Sequence, residues 1–236
     1  MSLYEVSEAR GLIGECDGPG DAETTLYLLG AAAMLSQSDL TLHCVGDDWK
    51  TRRALDLLRR LNAQLDIQVK RSKSKVARTV KVQGSELRRT RIGGEQTKLF
   101  IREVPFLAVM GTQAAGETVI RDGEGLREGE IDRLSLTIQN LRQMGAKVGE
   151  MPDGLVVQGP VRLEGIEVNA GGDALTGLTF ALAGLVAEGE TRVSNTGDMC
   201  RDFAELFACL STVVQQKEVN HHLLRRWIVP TTPPGA

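Results

Sequence analysis

Arg127, Glu130 and Arg133 are the side chains best suited to chemistry by type and spacing. They lie in Arg121-Asp-Gly-Glu-Gly-Leu-Arg-Glu-Gly-Glu-Ile-Asp-Arg133, after a short strand pattern at Glu117-Thr-Val-Ile120. Ile131, Leu134, Ile138 and Leu141 follow at spacings of three and four, which predicts an amphipathic helix. Glu130, Asp132 and Arg133 then fall at its N-terminus, beside a glycine-bearing loop. The unpaired backbone donors and positive dipole end of a helix suit an anion there. The two guanidinium groups can grip a phosphate or carboxylate through paired donors, and Glu130 can move a proton. A surface loop whose acids only cap the helix fits the same local pattern. The rest of the chain decides between the two.

The chain of 236 residues is long enough for one large domain or two small ones. Its hydrophobic fraction of 42% and charged fraction of 25% are those of an ordinary soluble globular protein. A formal net charge of -3 implies no obligatory polyanion partner. No apolar run reaches bilayer length and the N-terminus lacks a signal-peptide pattern, so the expected location is the cytoplasm. Cys16, Cys44, Cys200 and Cys209 are scattered, with no paired spacing and no histidine at ligand distance. They read as reduced, mostly buried thiols. His221 and His222 are adjacent and would face different directions on a helix, which favours exposed residues over a metal site.

Three segments have no polar face and should be buried helices: Thr24–Leu35, Val104–Ala115 and Leu175–Ala187. Each is followed by a strand pattern, at Leu40–Val45, Glu117–Ile120 and Glu190–Val193. Each strand is followed by a half-exposed helix, at Thr51–Gln64, at the stretch ending in Leu141–Ala146, and at Asp202–Val213. Short strands fill the gaps, at Leu65–Val69, Leu155–Gln158 and Ile166–Val168. The period is about 75 residues, taken three times. The implied architecture is one pseudo-threefold α/β domain over residues 1–214, with apolar helices inside and sheets outside. Residues 215–236 read as a tail, with a short helix over Gln215–Trp227 and disorder from Pro230.

Lys70 to Arg91 is the least regular part and strongly basic, with cations at Lys70, Arg71, Lys73, Lys75, Arg78, Lys81, Arg88, Arg89 and Arg91. It reads as a solvated loop and an edge strand kept soluble by charge. The absence of aromatic residues among these cations argues against a nucleic-acid surface.

With the repeats in place, the chain resembles the C-terminal half of EPSP synthase, the 3-phosphoshikimate 1-carboxyvinyltransferase family, from about Gly18 to Leu210. Pro19-Gly-Asp21 before an Ala-rich helix looks like the family's Pro-Gly-Asp-x-Ser-Ser. Gly84-Ser-Glu-Leu87 and Ile92-Gly-Gly94 sit where the family has a similar strand and turn, and Asp153-Gly154 matches its Asp-Gly after the next strand. Arg102-Glu-Val-Pro105 resembles Asp-Glu-Ile-Pro, and Leu126–Arg133 resembles Leu-Arg-Val-Lys-Glu-Ser-Asp-Arg. Asp173 and the helix after it occupy the place of Asp-His-Arg-x-Ala-Met.

The resemblance implies a domain of three βαβαββ units facing a second, similar domain across a cleft. It also implies enolpyruvyl transfer from phosphoenolpyruvate to shikimate 3-phosphate, in the shikimate pathway of aromatic amino acid biosynthesis, with no metal or organic cofactor. Glu130 is then the proton-handling residue and Arg133 the phosphoenolpyruvate contact, with Arg127 and Arg201 as further substrate-binding cations. Four family positions are replaced: Arg102 for aspartate, Gly129 for lysine, and Ala174 and Leu175 for histidine and arginine. Arg201 stands where the family has a lysine, which keeps charge but not acid–base ability near neutrality. These losses imply a domain that is inactive alone and binds a small anion weakly. They leave open an active half that works with a separate N-terminal half-domain, and a nucleic-acid-binding relative of the RNA 3′-phosphate cyclases. They also imply that Arg102, Arg133 or Arg201 pairs with Glu130 in the vacated cleft.

Overall fold

A helix with no polar face needs apolar neighbours on every side, and the fold is arranged to supply them. A computed structural model describes residues 3–18, 20–71, 76–216 and 228–230. The first unit holds β1 (Leu3–Ser7), β2 (Ala9–Asp17), α1 (Ala22–Met34), β3 (Asp39–Val45), α2 (Trp49–Arg60), β4 (Gln64–Arg71) and β5 (Val76–Gln83). The second holds β6 (Arg91–Ile92), α3 (Glu95–Leu99), α4 (Val104–Gln113), β7 (Gly116–Ile120), α5 (Arg133–Gln143), β8 (Lys147–Met151) and β9 (Gly154–Gly159). The third holds β10 (Leu163–Glu164), β11 (Glu167–Asn169), α6 (Ala174–Gly184), β12 (Ala187–Glu188), β13 (Glu190–Ser194), α7 (Met199–Asp202), α8 (Ala204–Val213), β14 (Val214–Gln216) and β15 (Ile228–Pro230).

The repeat is legible in the strand order. The first sheet runs β14-β2-β3-β5-β4, the second β6-β7-β9-β8, and the third β11-β13-β1-β15. In each, the first two strands of the repeat are parallel and joined through one apolar helix: β2-α1-β3, β6-α4-β7 and β11-α6-β13. The next strand pairs antiparallel in all three. In the third sheet that place is taken by β1, from the start of the chain, and the outer place by β15. The third repeat is therefore completed by strands nearly a whole chain length apart.

The inner helices α1, α4 and α6 are buried along almost their whole length, as their composition demands. Each packs on its own sheet, and α4 touches both α1 and α6. Gly30 permits the α1–α4 approach, because a Cβ there would lie 2.7 Å from the Phe106 ring. The outer helices α2 and α5 bury one face each, through Ala54, Leu55 and Leu58, and through Leu134, Ile138 and Leu141. One device starts four of these helices: an aspartate caps the backbone N–H of a threonine or serine three residues on. It occurs at Asp21–Thr24, Asp48–Thr51, Asp132–Ser135 and Asp173–Thr176.

Four expectations change. The basic stretch is a regular antiparallel hairpin, with β5 between β3 and the edge strand β4. Arg78 meets Asp47 there and Lys81 meets Asp39 at 2.8 Å, so two of its cations are already neutralised. Lys73 and Lys75 lie outside the described residues, as do His221, His222 and Pro19. Gln215 and Gln216 are in a strand rather than a helix, and both β14 and β15 pair with sheets, so the domain extends past residue 214. Residues 217–227 and 231–236 lie outside the described residues. Finally, Cys16 and Cys209 form a disulfide, while Cys44 is exposed and Cys200 half-buried. Sequence spacing did not reveal that pair, because 193 residues separate two side chains that the fold brings together.

Candidate functional site

The N-termini of α1, α6 and α8 converge on one cleft of about 810 Å³. Its walls carry Asp21, Glu23 and Thr24 from the start of α1, Arg102 before α4, and Arg133 at the start of α5. Asp173, Ala174 and Leu175 come from the start of α6, and Arg201 to Leu206 from α7 and α8. Five of the eight residues singled out from the sequence meet here: Arg102, Arg133, Ala174, Leu175 and Arg201. Arg127, Gly129 and Glu130 do not line it.

Helix geometry explains the absence of Glu130. The helix begins at Arg133 with Asp132 as its cap, so Glu130 lies in the bend before it and is exposed. Gly129 takes φ +104°, in the region that favours glycine, and the turn there carries Glu130 outward. Among the described residues no hydrogen bond or ion pair holds Glu130. The expected pairing of a cleft arginine with Glu130 is therefore not what forms.

Each cleft arginine has another acid instead. Arg133 grips Asp173 through two donors, Nε at 3.0 Å and Nη2 at 2.8 Å. The same carboxylate accepts the Thr176 backbone N–H at 2.9 Å and its hydroxyl at 2.8 Å. Burial works to raise the Asp173 pKa, but the bonds from Arg133 and Thr176 outweigh it and hold the group below the ordinary carboxylate range. Arg201 reaches Asp198 at 2.6 Å and Asp202 at 3.4 Å. Arg102 lies 3.6 Å from Glu23. In the segment resembling Pro-Gly-Asp-x-Ser-Ser, Glu23 falls at the first serine. Both members of this pair thus depart from the family pattern, and they meet each other. Sequence reading missed Glu23 because the departure at that position was not weighed, and nothing along the chain links it to Arg102, 79 residues on.

Arg127 is committed elsewhere. It donates to Asp132 at 3.0 Å, Ser135 Oγ at 2.8 Å and Glu150 at 2.7 Å. It braces the capped end of α5 against β8, so its donors are not offered to a cleft anion.

Two buried polar groups that sequence reading did not single out interact with the cleft residues Glu23 and Arg102. Glu103 is 1% exposed, and its Oε1 has no hydrogen-bond partner, with the Lys50 ammonium 3.5 Å away. Burial pushes its carboxyl above the ordinary range, and Lys50 only partly offsets that. The Tyr27 hydroxyl is also buried without a partner, its ring edge-on to Phe106 at 5.0 Å and to Phe203 at 6.3 Å. Burial first, then Glu103 and Glu23, raise its pKa well above the ordinary value. For Tyr27 the sequence signal was a hydroxyl inside an otherwise apolar run; Glu103 stood in the Arg102-Glu-Val-Pro105 segment, at the glutamate of the pattern it resembles.

The cleft wall therefore holds Arg102, Arg133 and Arg201 against Asp21, Glu23, Asp173, Asp202 and Glu205. It can exchange one ion pair for another, but it offers no surplus of positive charge.

Three βαβαββ units around three buried helices, with a cleft at the helix N-termini, define an enolpyruvyl-transferase-type domain. The chain belongs to the EPSP synthase (3-phosphoshikimate 1-carboxyvinyltransferase) family, whose model matches residues 7–210. It is 38% identical over 174 residues to the 3-phosphoshikimate 1-carboxyvinyltransferase of Herpetosiphon aurantiacus, covering 73% of this chain and 40% of that one. It is 35% identical to the enzyme of the same name from Brevibacillus brevis, over 75% of this chain and 42% of the relative. The chain spans about half the length, or somewhat less, of the curated relatives it matches. Among solved structures, EPSP synthase from Acinetobacter baumannii superposes with a TM-score of 0.77 at 21% identity, covering 91% of this chain and 48% of that one. The enolpyruvyl transferase NikO from Streptomyces tendae superposes with a TM-score of 0.68 at 22% identity, covering 91% of this chain and 45% of that one. These likenesses carry the fold. Among the described residues no helix is long and apolar enough to cross a membrane.

Proposed function

We propose that this chain is an EPSP synthase-like cytoplasmic domain that does not carry out enolpyruvyl transfer by itself. The observation that carries the reading is the self-pairing of the cleft: all three of its arginines already contact a carboxylate. A reaction joining phosphoenolpyruvate to a phosphorylated acid needs cations for two phosphates and a carboxylate, and groups that move protons on the enolpyruvyl carbons. Here Ala174 and Leu175 present apolar side chains to the cleft, Arg102 stands in place of an acid, and Glu130 faces solvent. Losing one electrostatic contact of this kind costs about 100- to 1,000-fold in rate, so several together remove useful turnover. What remains is weak, salt-dependent binding of a small anion, such as phosphate or a phosphoenolpyruvate-like molecule, by displacing a carboxylate from Arg133 or Arg201.

The chain's half-length match to its relatives favours a second reading, in which a separate half-domain completes the enzyme. One assay separates the two. Phosphate release from phosphoenolpyruvate and shikimate 3-phosphate is measured with this chain alone, then with the N-terminal half of a relative added. The proposal expects buffer-level rates in both. Turnover by the chain alone overturns it, and turnover only in the mixture establishes the two-piece enzyme.

A further inference from the structure

The Cys16–Cys209 pair ties together two elements that have no other covalent reason to stay in place. Cys16 is near the end of β2, and Cys209 is in the last turns of α8, with their Cα atoms 5.8 Å apart. That separation is ordinary for a disulfide. The pair sits in a surface hollow of about 500 Å³, so a small reagent has access to it. Three carboxylates, Glu15, Asp17 and Glu205, line the same hollow. Glu205 lines the main cleft as well, so α8 forms a wall common to both.

We propose that Cys16 and Cys209 are a reversible thiol–disulfide modification site that fixes the α8 wall of the cleft, and that it reacts with small disulfides carrying no negative charge. This goes beyond the functional reading above and stands without it. In the oxidising direction the Cys16 thiolate, the less buried of the two, attacks one sulfur of the small disulfide. The first reagent thiolate leaves and takes up a proton. The Cys209 thiolate then attacks Cys16 in the mixed disulfide and expels the second reagent thiol. Two protein thiols are oxidised and one small disulfide is reduced to two thiols. The three carboxylates repel an anionic reagent at short range, and that repulsion is screened by salt. The site is therefore slowest with anionic reagents.

The test uses the full chain carrying Cys44→Ser and Cys200→Ser, so that only the pair can react. The reduced protein is treated with cystamine, which is cationic, or with glutathione disulfide, which is anionic. Loss of alkylatable thiols is followed by mass spectrometry. The proposal expects complete pairing of Cys16 with Cys209, at a rate at least about tenfold higher with cystamine at low ionic strength, the gap closing in about 1 M salt. It also expects amides of α8 to exchange at least about tenfold faster in the reduced protein, with Tm lower by about 5–15 °C. Both cysteines remaining alkylatable after cystamine overturns the site. Equal rates with the two reagents overturn the charge selection. Equal α8 exchange in the two redox forms, or in the oxidised form and a Cys16→Ser/Cys209→Ser variant, overturns the clamp.

Discussion

Two ion pairs line the cleft, and they are built differently. Arg133–Asp173 joins residues at family positions, has two short hydrogen bonds, and leaves the acid only 8% exposed. Arg102–Glu23 joins two departures from the family pattern, has a single contact at 3.6 Å, and leaves the arginine 62% exposed. The first is held by the fold, because Asp173 also caps α6. The second has no hydrogen bond: it is a single charge contact between an exposed guanidinium and the buried Oε1 of Glu23. Asp173 is tied to the fold twice, by Arg133 and by the start of α6, whereas neither Arg102 nor Glu23 caps a helix or makes a hydrogen bond to its partner.

The largest effect should follow from breaking the first pair. Asp173→Ala leaves Arg133 half-buried without its partner and removes the cap of α6, which together cost about 2–3 kcal/mol in urea unfolding. Because the Asp173 carboxyl is held below the ordinary range, the stability it contributes is present above about pH 4 and is lost as pH falls through its folded value. The variant should accordingly lose less stability on acidification than the parent. Equal acid sensitivity in the two would show that Arg133–Asp173 is not the acid-sensitive contact.

Arg127→Ala should cost less, about 1–2 kcal/mol, because its acceptors Asp132 and Glu150 can be solvated when it is gone. It should leave phosphate binding unchanged. A loss of phosphate affinity without loss of stability would restore Arg127 to the site.

Arg102→Ala should cost up to about 1 kcal/mol, because it leaves the buried Glu23 Oε1 without its cation, whereas Glu23→Ser should change stability by less than about 0.5 kcal/mol. They differ in sign on anion binding: Arg102→Ala weakens phosphate binding and Glu23→Ser strengthens it, each by a few-fold, and both effects shrink in high salt. The same sign for both would mean that the pair is not what neutralises this side of the cleft.

The fold was largely legible because burial leaves a mark on composition. The runs at Thr24, Val104 and Leu175 have no polar face and did become the three inner helices. The completion of the third sheet was not legible, since β1 and β15 are joined to β13 only by pairing across the whole chain. The site was legible by halves. Arg102, Arg133, Ala174, Leu175 and Arg201 were placed by their motifs, and all five line the cleft. Glu130 falls outside that cleft because α5 starts at Arg133, later than the apolar spacing from Ile131 suggested; Asp132, with Ser135 three residues on, was the cap that marked the start. Glu23 and Asp198 escaped notice because ion-pair partners are chosen by the fold, not by spacing along the chain.

Calorimetric titration of shikimate 3-phosphate into this chain at low salt asks whether the cleft's own carboxylates close it to its family's substrates. If they do, there is no saturable binding below the millimolar range, and inorganic phosphate is equally weak. Stoichiometric binding in the micromolar range would mean that the cleft remains a substrate site.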